Sequence, residues 1–179
     1  LFSPSTGIID SHALMLSYRG EAEDGGAAIA FATAVESVDA DGRGFRVVTR
    51  GDVDAVIHAR QFVNAAGLFA PTLAGCIASL DVAHVPVAHY CKGNYFSLQG
   101  RAPFERLIYP VPQAAGLGVH LTFDMGGQAR FGPDTHWIDG VDYTVDPKRA
   151  DGFYAAIRRY WPGLKQGALA PSYAGIRPK

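Results

Sequence analysis

Residues 116–133 alternate in a way that leaves little freedom of fold: Leu117, Val119 and Leu121 interleave with Gly118, His120 and Thr122. A strand sends consecutive side chains to opposite faces, so the aliphatic set seeks a core while His120 and Thr122 share the other face. Gly126-Gly127 supplies a hairpin turn that returns the chain along 127–133. Aromatics and prolines multiply from Val85 onward, and the pattern predicts an antiparallel sheet of residues 86–98, 106–111, 116–124 and 127–133, joined by 169–177. Asp146-Pro147 starts an amphipathic helix over 147–161, with Phe153, Ile157, Tyr160 and Trp161 at helical spacing and Pro162-Gly163 as its stop.

The first half reads differently. Asp10 or Ser11 caps a helix that ends by Gly25-Gly26. Residues 27–34 read as a strand, 35–38 as a second short one, and Asp41-Gly-Arg-Gly44 as a turn into 45–49. A strand over 55–58 follows, then a buried strand over 61–64 that runs into Ala65-Ala66-Gly67 and a proline-opened helix over 71–77. The expected class is α+β, with an antiparallel sheet flanked by helices and a boundary that separates 1–84 from 85–179.

Several function classes drop out. Lys and Arg number 16 against 17 Asp and Glu, and no basic cluster tracks a phosphate backbone, which excludes nucleic acid as a partner. No apolar run approaches the roughly 20 residues of a membrane span. Cys76 and Cys91 stand outside any Cys-x-x-Cys pair, which points to a reducing compartment, the cytoplasm, with the electron acceptor as the one route to a membrane. The acceptor itself is not legible. Asp10 and His12 lack a third ligand at suitable spacing, so no metal site is expected.

Five groups carry chemistry, each with a plainer alternative. His120 is a hydrogen-bonded core histidine or a base, since an imidazole titrates near pH 6.5. Arg177, held between Ile176 and Pro178, pairs with a surface carboxylate or grips a substrate carboxylate with two parallel hydrogen bonds. Tyr95 and Tyr109 are core aromatics or uncharged hydrogen-bond donors to an anion. Lys92 sits in a glycine-flanked turn, solvated or facing a ligand. Ala65-Ala66-Gly67 is a strand-to-helix turn whose small residues also admit a cofactor. A base and an anion clamp together suggest oxidation of a small carboxylate.

Pro4-Ser-Thr-Gly-Ile-Ile-Asp10, Val63-Asn-Ala-Ala-Gly67, Lys92-Gly-Asn-Tyr-Phe96, Leu107-Ile-Tyr-Pro-Val-Pro112, Gly118-Val-His-Leu-Thr122 and Ala174-Gly-Ile-Arg-Pro-Lys179 occur in this order. Together they resemble the FAD-dependent oxidoreductases of the D-amino-acid oxidase superfamily, closest to its L-2-hydroxyglutarate dehydrogenase/oxidase branch. The resemblance implies His120 as the catalytic base beside flavin and substrate, and Arg177 on the substrate carboxylate. It implies Tyr95, Tyr109 and Lys92 as further substrate-side residues, with Lys92 near the isoalloxazine edge. Val35, Ala65, Ala66 and Gly67 become FAD contacts, 1–84 an incomplete part of an FAD-binding domain, and 85–179 the substrate-binding sheet. Such enzymes open with a Gly-x-Gly-x-x-Gly turn that holds the FAD pyrophosphate; this chain has none, and the resemblance implies a middle piece of a longer protein. On the same scaffold an amine or amino-acid oxidase is the alternative, and a non-catalytic binding domain is a third reading.

Overall fold

The computed structural model describes residues 1–111 and 118–179, in two compact units: Met15–Ala88 with Pro178, and Leu1–Leu14 with His89–Arg177 and Lys179. Helix α1 (Ser11–Asp24) starts where Asp10 caps it, its Oδ1 accepting from His12 N and Ala13 N at 3.0 Å. Strands β1 (Thr33–Ala40), β2 (Phe45–Gly51) and β3 (Ala55–Ala59) form an antiparallel meander in that order. The first turn closes through Asp41 N to Gly44 O, with Gly42 at φ +80°. The sequence predicts two strands over 27–38. The structure has one, β1, which starts at Thr33 and continues past Val38, because every residue of Thr33–Ala40 except Glu36, at an irregularity, finds a partner in β2. Val38 is fully buried and exchanges backbone bonds with Cys76 and Ala78, just beyond helix α2 (Ala70–Gly75).

The 61–64 stretch is neither a strand nor buried. Val63 is 82% exposed, and the backbone of this segment pairs with no strand among the described residues. A strand without a neighbour leaves its ladder bonds unmade. The Asn64 side chain takes over locally, accepting from Ala66 N and donating to Ala70 O.

The larger unit is a five-stranded sheet: β4 (Tyr90–Leu98), β5 (His120–Phe123), β6 (Ala129–Gly132), β7 (His136–Ile138) and β8 (Leu169–Pro178). β6 and β7 pair in succession with β4, Phe96 facing Phe131 and Lys92 facing His136. β8 also pairs with β4. Gln99 N donates to Ala168 O and Lys179 N to His89 O, so it runs antiparallel. β7 escaped the sequence reading. The 106–111 strand reduces to one bridge, Ile108 with Leu121, and Pro110 removes a ladder donor there. Of the expected 116–124 strand, β5 keeps His120–Phe123; Gly118 and Val119 precede it outside the ladder, and Gly116 and Leu117 lie outside the described residues.

One face of this sheet makes the core. Phe96, Leu121 and Phe131 are fully buried against Phe153 and Ile157 of helix α3 (Ala150–Ile157). Phe96 and Phe153 pack with ring centroids 4.6 Å apart. Each such ring contributes roughly 1.5–3 kcal/mol by burial, which fixes the sheet's register: a one-residue slip would turn these rings to water. The helix is shorter than the 147–161 expected, since 147–149 are 3-10 and Pro162 disfavours helical geometry at Trp161. Tyr160 and Trp161 nevertheless stay packed on the core.

Candidate active site

The alternation that buries Leu121 and Phe131 turns His120, Thr122, Arg130, Gly132 and Tyr95 to the opposite face. There the aromatic side chains assemble around the imidazole. Tyr109 stacks on His120 with centroids 4.6 Å apart and planes 14° from parallel. Tyr95 meets the same ring edge-on at 6.3 Å and stacks on Tyr173 at 4.5 Å. The Arg130 guanidinium lies over the outer face of Tyr173, 5.4 Å from its centroid. Gly132, opposite His120 in the β5–β6 register, makes the Tyr95 seat possible: at φ +150° a Cβ there would lie 2.6 Å from the Tyr95 ring and 2.6 Å from Asn94 O.

Burial sets the electrostatics. His120 is only 8% exposed, and its Nδ1 has no hydrogen-bond partner among the described residues. Desolvation lowers its pKa, partly offset by a hydrogen bond with the Gly118 backbone. The imidazole is therefore neutral at pH 7 and able to take a proton. Tyr95 moves the other way, pushed up to about 12 by burial first, then by Tyr173 and Tyr109 and a hydrogen bond to Tyr173, against a downward pull from Arg177. It stays a protonated donor.

Arg177 lies on β8 two alternations from Tyr173, on the same face, exposed, and with no ion-pair partner among the described residues. His120, Tyr95 and Tyr109 thus form one cluster, and Arg177 lies on the same face of the sheet, within electrostatic reach of Tyr95. Lys92 stands apart. It lies within β4 rather than in a turn, 3% exposed, with Nζ bonded to Asp142 at 2.8 Å and to Thr144 O. That pairing holds the Asp142 carboxyl far below the usual carboxylate range. Tyr173, Gly132 and Arg130 escaped the sequence reading. The Gly-Pro pair at 132–133 was the one available signal, because strand glycine marks close backbone approach.

In the other unit, Gly67 opens a 3-10 turn ahead of α2 at φ +57°, and nothing lies within 4 Å of where its Cβ would be. Ala65 is exposed and Ala66 half-buried beside it. Asn64 braces the turn from below. Val35 sits in β1 opposite Thr49, at the register shift before Ser37. A flat ligand can approach such a turn closely, since no side chain stands in its way. Among the described residues no cluster of three potential metal ligands occurs, and no helix is long and apolar enough to cross a membrane.

A family model described as DAO, FAD dependent oxidoreductase, matches residues 1–179. The mitochondrial L-2-hydroxyglutarate dehydrogenase of Arabidopsis thaliana is 37% identical, over all of this chain and 45% of its own. L-2-hydroxyglutarate dehydrogenase of Salmonella houtenae is 24% identical over 99% of this chain and 50% of its own. The chain spans about half the length of these relatives. The FAD-complexed glycerol-3-phosphate dehydrogenase of Bacillus halodurans superposes with TM-score 0.73 and 25% identity, over 93% of this chain and 35% of its own.

Proposed function

The chain belongs to the DAO family of FAD-dependent oxidoreductases, and on that premise we propose that the full-length protein oxidises a small 2-hydroxy acid, L-2-hydroxyglutarate foremost. The observation that carries the reading is the neutral, buried His120 beneath Tyr109, on the face it shares with Tyr95 and Arg177. Arg177 grips the substrate carboxylate through its planar fork. Tyr95 donates a hydrogen bond without adding charge. His120 takes the hydroxyl proton, a task that needs an unprotonated imidazole. Tyr109 covers the ring and limits water. Bound FAD supplies the acceptor for the electron pair that the oxidation removes.

The open turn at Ala65, Ala66 and Gly67, with Val35 on β1, fits the cofactor side, because no Cβ fills the space at Gly67. In this reading residues 1–84 contribute to FAD binding, 85–179 form the substrate sheet, and Lys92 acts by anchoring the 142–144 loop under β4. The two free thiols, Cys76 and Cys91, support a reducing compartment.

The test is the absorbance of the full-length protein under anaerobic conditions with candidate substrates added. L-2-hydroxyglutarate should bleach the flavin. Bleaching by glycerol 3-phosphate or an amino acid, with none by 2-hydroxy acids, would contradict the proposal.

A further inference from the structure

A second carboxylate seat adjoins His120. Two residues further along β5, about 7 Å at the strand repeat, Thr122 faces Arg130 across the β5–β6 ladder. Above this pair lies a cleft of about 680 Å³, lined also by Tyr173, Asp124, and the Ile8–His12 approach to α1. Among the described residues Arg130 is the guanidinium that lines it. One of its five N–H donors is engaged among those residues, from Nη2 to Asp124 Oδ2 at 2.8 Å. Nε is buried without a partner among the same residues. The side chain is 29% exposed and held over Tyr173, so its outer edge has a fixed direction.

The acidic neighbours are already committed. Asp124 Oδ1 accepts from Gly126 N and Gln128 N at 2.9 Å, while its Oδ2 holds Arg130. Asp10 Oδ1 caps α1. Both carboxylates are therefore partly neutralised by backbone amides, and Arg130 keeps its spare donors. A guanidinium with an open edge, beside a hydroxyl and a half-turned aromatic ring, recognises a carboxylate better than it does an alkyl group.

We propose that Arg130, with Thr122, binds the distal carboxylate of a dicarboxylic 2-hydroxy acid whose α-carboxylate is held by Arg177. The proposal rests on the 2-hydroxy-acid reading and deepens it: Arg130 sets preference for a diacid over a monoacid. The strand repeat sets Thr122 about 7 Å from His120, so a group bound at Thr122 and Arg130 is one short carbon chain away from the base.

The test compares L-2-hydroxyglutarate with L-2-hydroxypentanoate, of equal carbon count but one carboxylate, in the full-length flavoenzyme and its Arg130→Met and Arg130→Lys variants. Arg130→Met should lower kcat/KM for the diacid roughly ten- to a hundredfold, the loss of one charge-assisted hydrogen bond. Turnover of the monoacid should stay within about threefold, which also shows that the variant folds. Arg130→Lys should recover part of the diacid preference, since it restores charge without the fork. Equal losses on both substrates, or an unchanged diacid-to-monoacid ratio, would overturn the assignment while leaving the 2-hydroxy-acid reading intact. A wild-type enzyme that oxidises neither acid would remove both.

Discussion

Tyr109 lies flat against His120, ring centroids 4.6 Å apart and planes 14° from parallel, although the tyrosine itself is 55% exposed. The tyrosine is thus a cover: one side faces solvent and the other keeps water from the imidazole. Desolvation is the main cause of the lowered His120 pKa. The base form is therefore retained below the ordinary histidine value of 6.5 and lost only as pH falls further. The acid limb of the kcat/KM profile in the full-length enzyme should lie below pH 6.5. Tyr109→Ala hydrates the ring, so the limb should move upward toward 6.5. A limb that stays in place would remove Tyr109 from control of the base.

Arg177→Lys keeps a cation and removes two-point alignment. Losing one charge-assisted hydrogen bond, about 1.5–3 kcal/mol, should raise the apparent substrate constant roughly ten- to a hundredfold. Flavin bleaching followed through a substrate titration measures it. Wild-type affinity in the variant would take Arg177 out of the site.

Gly132→Ala should destabilise the protein and distort the site together. The new methyl would sit 2.6 Å from both the Tyr95 ring and the Asn94 carbonyl, at a φ of +150° that side chains rarely adopt. Overpacking and backbone strain together cost about 2–4 kcal/mol. Thermal unfolding should show a clear loss of Tm, and the Tyr95 contact with His120 should be lost even where the fold survives. An unchanged Tm would mean that β4 and β6 yield more readily than their ladder implies.

The sheet was legible wherever one face is buried. Leu121, Phe131 and Phe96 bury on one face of their strands, which puts their neighbours His120, Arg130 and Tyr95 on the other, so the strand pattern carried the core and the facing of His120 together. Strand signals failed where pairing was absent. The 61–64 stretch has the composition of a buried strand, but composition does not supply a neighbour to bond with. Short β7 was missed because three residues, His136–Ile138, carry too little periodicity to read. The partners of Lys92 were also hidden, since its bonds to Asp142 and Thr144 span 50 and 52 residues. Tyr173 was invisible for a similar reason: its stack on Tyr95 follows from β8 lying beside β4, a long-range pairing that no local pattern encodes.

The 179-residue chain expressed alone should purify colourless and bind FAD weakly. It contains no Gly-x-Gly-x-x-Gly turn, the element that holds a dinucleotide pyrophosphate through backbone amides at a helix N-terminus. The turn at Gly67 offers access without that grip. Absorbance in the flavin region after purification, and again after incubation with FAD and desalting, measures it. Stoichiometric flavin retained by the chain would show that these 179 residues suffice to hold the cofactor.

If His120 takes the hydroxyl proton, anaerobic stopped-flow reduction of the full-length flavoenzyme by L-2-hydroxyglutarate depends on it. His120→Ala should slow flavin reduction by roughly two to four orders of magnitude, the range for a lost general base, while the substrate constant changes far less. Reduction at the wild-type rate in His120→Ala would contradict the account and return His120 to a structural role.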